Sequence, residues 1–199
     1  ALAACSLLAA GATAAALQSP PPAVAEDHRD DRDDRRTVRF ATFNASLNRN
    51  AAGQLVTELS TPGSAQPATI AEIVQRARPD VLLVNEFDFD AAGQALRLFQ
   101  DNYLSIGQGG ADPIEYPYAY TAPSNTGIPS GFDLDNNGSV GGPNDAFGFG
   151  FFPGQFGMAV YSKYPIDQSK VRTFQNFLWK DMPNALLPDD PNTPAAKDW

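Results

Sequence analysis

The sequence predicts an α/β fold, and three observations carry that expectation. Residues 37–46, "TVRFATFNAS", are rich in β-branched and aromatic residues, the composition of a strand. Residues 67–78, "PATIAEIVQRAR", place Ile70, Ile73, Val74 and Ala77 at helical spacing. Residues 80–86, "DVLLVNE", return to strand character with four aliphatic residues in a row, Val81 to Val84. A strand–helix–strand unit of this kind lays its two strands parallel in one sheet.

Each element has its own justification. The first strand is apolar or Thr from Phe40 to Phe43 and then reaches Asn44. In the helix, Thr69 and Glu72 fit a capping box, and Pro79 ends the run. The unbroken aliphatic stretch of the second strand reads as a strand covered on both faces. It runs directly into Asn85 and Glu86. A carboxylate at the end of a dry strand is costly unless it is hydrogen-bonded, paired with a charge or bound to a metal. Parallel strands bring their C-terminal ends to one edge, where open α/β sheets build their sites. Asn44 and Glu86 are therefore expected at the same rim.

Further along, Ala92, Ala95, Leu96, Phe99 and Tyr103 outline a second amphipathic helix. "YPYAYT", 116–121, reads as a short aromatic or edge strand. Residues 122–155 form a long insertion dense in Gly, Pro, Asn and Asp, without hydrophobic period. "FGMAVYSKYPI", 156–166, restores strand character, and "VRTFQNFLW", 171–179, suggests one more strand. The last twenty residues are loop-like, and no internal repeat is evident.

The N-terminal stretch has a different composition. Residues 1–25 contain no charge, residues 1–17 are small and apolar, and Ala23-Val24-Ala25 has the form of a cleavage site. This predicts a secretory signal peptide lacking its n-region, hence a secreted or periplasmic protein with no stable membrane span. Leu2-Ala3-Ala4-Cys5 also has the form of a lipobox, so a lipoprotein anchored through Cys5 is the alternative. Cys5 is the only cysteine, which excludes an intrachain disulfide. Residues 26–36, nearly all charged and of mixed sign, read as a disordered linker. They contain His28, the only histidine, read as a solvated linker residue and not a metal ligand. The net charge of −9 argues against a simple nucleic-acid-binding module, which would be basic. It does not exclude a metal-dependent enzyme acting on phosphates, where a cation supplies the attraction locally.

"VRFATFNAS", then a helix, then "RPDVLLVNEFD", then "FGMAVYSKYPI" resembles the endonuclease/exonuclease/phosphatase superfamily. Its members are metal-dependent phosphoesterases similar to pancreatic deoxyribonuclease I, abasic-site endonucleases, sphingomyelinases and inositol phosphatases. The resemblance spans about residues 37–179 and implies a four-layer α/β/β/α sandwich, incomplete in this chain. It implies that Glu86 is the carboxylate ligand of a catalytic Mg²⁺ or Mn²⁺. It also implies that Asn44 lies in the same metal and catalytic site, orienting the phosphate or a metal-bound water. Hard divalent cations suit one or two carboxylates plus water and substrate oxygens. Without that pattern, Glu86 would read as a strand-end residue paired with a surface Lys or Arg. Asn85 stands where the family has Gln, and Ser46 where some nuclease members have Asp. The substrate would be a phosphoester: nucleic acid, lipid head group or small molecule.

The family completes its site with a His near the middle, an Asp-x-Asn pair and a terminal Ser-Asp-His. No histidine follows His28. The expectation is that residues 37–199 are the N-terminal part of the domain, inactive without the remainder.

Within the insertion, Asp133-x-Asp135-x-Asn137-Gly138 is the first half of an EF-hand-type calcium loop, with Val140 at the eighth position. The twelfth position is Asn144 instead of Glu. Asp133, Asp135 and Asn137 are thus candidate Ca²⁺ ligands, against the alternative of an Asp/Asn-rich turn. The rival to an exported phosphoesterase is a secreted, calcium-stabilised binding module without catalysis.

Overall fold

In the computed structural model the described residues are 37–186. The expected signal peptide, Cys5, the charged linker and His28 lie outside them, as do residues 187–199.

Four strands form one mixed sheet: β1 (Phe40–Leu47), β2 (Val81–Phe87), β3 (Tyr118–Thr121) and β4 (Met158–Ser162). The spatial order is β1-β2-β4-β3. β1 and β2 are parallel, with Phe40 opposite Val81 and Asn44 opposite Asn85, as the strand–helix–strand pattern requires. β4 runs antiparallel to both β2 and β3. The C-terminal ends of β1, β2 and β3 and the start of β4 therefore share one rim. The insertion, which joins β3 to β4, rises from that rim.

Burial alternates along the strands. Ala45 and Leu47 of β1, Leu82, Val84 and Phe87 of β2, and Ala159 and Tyr161 of β4 are buried on one face. That face is covered by α1 (Gln54–Leu59), α2 (Ala65–Ala77) and α3 (Gln94–Phe99), the last running into a π-turn at Gln100–Leu104. Large aromatics fill the interface, with Phe99 against Phe87, Tyr103 and Tyr161 at ring separations of 6.0–6.2 Å. The phenols end on carbonyls: Tyr103 donates to Thr61 (2.8 Å), Tyr116 to Pro79 (2.9 Å) and Tyr161 to Leu96 (2.9 Å). Each buries a large apolar ring without stranding its hydroxyl.

Several expectations need correction. The aliphatic run of β2 suggested two covered faces, yet Val81 and Leu83 are only half-buried and Phe40 beside them is 73% exposed. Among the described residues the sheet has helices on one side only, so two of the four expected layers are present. In α2 the buried stripe is Ile70, Ala71, Val74 and Gln75, while Ile73 and Ala77 face out. Gln75 draws the helix round: its amide donates to the carbonyls of Leu104 (2.9 Å) and Ile106 (2.8 Å), which end the π-turn, and accepts from Gln108 N–H (2.9 Å). The helix also begins at Ala65, and Thr69 donates to the Ala65 carbonyl (2.9 Å) instead of capping. Ala92 lies in the exposed turn before α3. Residues 171–179 form no strand. They pair with neither sheet edge and are tied by side chains instead, Asn125 to the Gln175 carbonyl (3.0 Å) and Gln175 to the Ser124 carbonyl (3.2 Å).

Candidate functional site

The rim where β1 and β2 end carries the first candidate site. Strict alternation after Leu82 and Val84 would send Glu86 inward against the helices. The ladder instead slips between Asn44 and Leu47, and both Ser46 (φ 49°) and Glu86 (φ 56°) take the left-handed conformation. The slip lets Phe87 fill the inward slot, where it is 1% exposed, and turns Glu86 toward the open face of Asn44 and Ser46. Non-glycine residues in this region cost about 1–3 kcal/mol each, and such costs collect at functional sites.

Three neutral donors hold the Glu86 carboxylate. Asn44 Nδ2 reaches Oε1 at 2.7 Å, Asn48 Nδ2 reaches Oε2 at 3.1 Å, and Ser46 Oγ stands 3.4 Å from Oε2. The Asn44 carbonyl oxygen is occupied by the Ser46 N–H (3.1 Å), so its amide nitrogen is the atom that faces Glu86. Among the described residues no Lys or Arg pairs with Glu86. Asn85, which stands where the family has Gln, turns away to donate to Thr42 Oγ1 (2.9 Å) on the open sheet face.

Asn48 was not singled out from the sequence, and neither was Asp88, which braces the rim from beneath. Asp88 is 6% exposed and accepts from Arg49 N–H (2.7 Å) and Phe156 N–H (3.1 Å). Burial pushes its carboxyl up, and those two N–H groups pull it back. Arg49 in turn forms an ion pair with Glu58 of α1. The buried Gln155 donates to the Arg49 carbonyl (2.7 Å), tying the end of the insertion to the same rim. The only advance signal for Asp88 was its place two residues beyond Glu86; Asn48 gave none.

The second candidate lies in the insertion. Asp133, Asp135 and Asp145 each offer a carboxylate oxygen, all within 4.8 Å of one another, a group able to hold a metal ion. Asp145 joins the two expected aspartates. Asn137 uses its side-chain oxygen on Ser139 N–H (2.9 Å) and its own N–H on Asp133 (3.1 Å) and Asp135 (3.2 Å). The carboxylates are heavily committed. Asp133 also accepts from Gly138 N–H (2.9 Å), Asp135 from Asn144 Nδ2 (3.0 Å), and buried Asp145 from Leu134 (2.7 Å) and Gly141 (2.8 Å). The Asn144 amide holds the Asp135 carboxyl below the usual range.

Comparison with known proteins gives one finding. Residues 41–198 match the Endonuclease/Exonuclease/phosphatase family. No curated protein and no solved structure matches the chain.

Proposed function

Since the chain belongs to the endonuclease/exonuclease/phosphatase family, whose domain supports a phosphoester hydrolase in general, we propose that it is a divalent-metal-dependent phosphoesterase with Glu86 at its centre. One observation carries this reading: Glu86 is a carboxylate held by neutral donors only, in a strained backbone conformation, at the rim where two parallel strands end.

The donor set suits a hard cation. Two amides and a hydroxyl fix the carboxylate's direction without neutralising its charge, and an ionised carboxylate offers about four lone-pair positions, more than these neighbours occupy. Glu86 is the residue that would hold Mg²⁺ or Mn²⁺, and oxygen ligation is what those ions prefer. Held by Glu86, such an ion would supply polarisation of the phosphoryl oxygens and a lowered pKa for a water molecule. The rest falls to the chain itself. Asn44 and Asn48 keep Glu86 aimed at the rim, and Asp88 keeps the Asn48–Arg49 backbone in place to do so. The uncharged N-terminal stretch with its Ala-x-Ala ending supports export as part of this proposal.

The test uses the full-length protein and an activated phosphodiester such as bis(p-nitrophenyl) phosphate. Hydrolysis should stop with chelator and resume with Mg²⁺ or Mn²⁺. Glu86→Gln should abolish it while leaving thermal unfolding unchanged; a variant that kept its full rate would sink the proposal.

A further inference from the structure

The insertion carries large apolar side chains that the fold leaves in water. Phe132, Phe147 and Phe151 are each 66% exposed, Val140 is 64% exposed and Phe149 52%. Exposed apolar groups gathered on one segment mark binding surfaces in soluble proteins. Phe149 packs edge-on against Phe151 (centroids 5.7 Å apart) and at a tilt against Phe156 (6.0 Å). This aromatic group is fastened to the Glu86 rim at two points. Phe156 N–H donates to Asp88 (3.1 Å), two residues beyond Glu86. Phe151 N–H donates to Gln155 Oε1 (2.7 Å), and the same Gln155 reaches the carbonyl of Arg49, next to Asn48. The aromatic wall and the strand-tip carboxylate thus stand on one frame.

Charge decides what such a wall can face. Within the insertion, residues 122–155, the sequence contains no Lys or Arg, while Asp133, Asp135 and Asp145 are acidic. Surfaces that track a nucleic-acid strand combine aromatic platforms with cations that neutralise phosphates. Here the platforms are present, the insertion that carries them supplies no cation, and Arg49 at the rim is already paired with Glu58. A group bearing further phosphates would be repelled; an apolar one would be buried on phenyl rings.

We propose that Phe149 and Phe151 bind the organic part of the substrate. The protein then acts on phosphoesters carrying one phosphate and an apolar, aromatic or acyl group, in preference to polyanions. The inference rests on the phosphoesterase reading of Glu86.

The experiment compares kcat/KM of the full-length protein on two p-nitrophenyl phosphodiesters, one with an alkyl group and one with a nucleotide bearing a second phosphate. The native protein should favour the alkyl ester by about tenfold or more. Phe149→Ser/Phe151→Ser should lower kcat/KM for the alkyl ester by about tenfold, mainly through KM, and leave the nucleotide ester unaffected. Phe151→Lys, at an exposed position, should shift preference toward the nucleotide ester, and carries the test alone if the double variant does not fold. Loss of both activities in Glu86→Gln together with an unchanged ratio in the Phe variants would overturn the wall and leave the phosphoesterase reading standing. Full activity of Glu86→Gln on both esters would remove that reading itself. A changed oligomeric mass in the Phe variants, with the ratio unchanged, would make the wall a protein interface and overturn its role in substrate binding.

Discussion

The strand-tip carboxylate and the acidic loop are built from the same residue types and differ in what their oxygens already do. In the loop, Asp133, Asp135 and Asp145 sit within 4.8 Å of one another, the denser negative cluster of the two. Yet each is engaged by N–H groups of its own loop: Asp133 by Asn137 and Gly138, Asp135 by Asn137 and the Asn144 amide, Asp145 by Leu134 and Gly141. These bonds fold a Gly-rich segment that has no hydrophobic period of its own. At the strand tips a single carboxylate is gripped by side chains from β1 and the residue beyond it, which are themselves fixed by the sheet and by Asp88. Proximity of acids is thus a poor guide to chemistry. A carboxylate whose orientation is set by a rigid scaffold, with its charge uncompensated, is the better one.

The widest separation between the two regions should come from removing charge at each. Glu86→Gln should cost more than the ~10–100-fold that follows when a metal ligand loses its supporting partner. Asp133→Asn and Asp135→Asn should leave phosphodiester turnover within about twofold, since surface changes away from a site rarely matter more. Equal losses in steady-state rates would erase the distinction. Next, Asn48→Ala should lower metal affinity and turnover by ~10–100-fold with little change in melting temperature. Calorimetric titration with Mn²⁺ checks the first effect and scanning calorimetry the second. Smaller again is Asp88→Ala, which leaves the N–H groups of Arg49 and Phe156 unpaired in a buried place and should destabilise by ~1–3 kcal/mol. The unfolding midpoint in urea reads it. A neutral result would mean that the rim does not depend on Asp88.

Much of the strand-tip region was legible in the sequence because its logic is local. Aliphatic runs ending in Asn44 and Glu86, around one helical repeat, force a parallel pair with both polar residues at the same edge. The turn of Glu86 was not legible. It depends on a slipped ladder and two left-handed residues that no residue type signals, since neither Ser46 nor Glu86 is glycine. Periodicity also misjudged α2, because it counts Gln75 as polar and therefore exposed, whereas burial against three carbonyls of one turn satisfies its amide. The strand expected at 171–179 failed for a related reason. A β-like composition specifies a strand only where a ladder forms, and although the β3 edge is open among the described residues, side-chain bonds to Ser124 and Asn125 hold this segment instead. In the loop, Asp133, Asp135 and Asn137 were visible as a motif, but Asp145 was not, since its contribution follows from chain reversal through Gly138, Gly141 and Gly142.

The smallest expected effect comes from a third carboxylate, at the opposite end of the strand that carries Glu86. Asp80 accepts the backbone N–H of Arg39 (2.8 Å) and the ammonium of Lys163 (2.9 Å), clasping β1 and β4 to the start of β2. The Arg39 N–H first, and Lys163 after it, hold its carboxyl below the ordinary value of 3.8. A group whose pKa is lowered by folding adds stability above its unfolded value, and that stability is lost as pH falls through the folded one. Asp80→Asn keeps an acceptor for Arg39 and removes the charge, so its melting temperature should match the native protein's more closely at pH 2 than at pH 7. The difference at neutral pH should shrink in part with added salt, because the pair is partly open to solvent. Glu86→Gln makes the contrast. Its carboxylate has no cationic partner among the described residues, so at neutral pH its removal should leave metal-free stability unchanged or raise it, whereas removing Asp80 should lower it. If both substitutions lowered the metal-free melting temperature alike, Glu86 would be a structural acid like Asp80, and the two ends of the strand would not differ in kind.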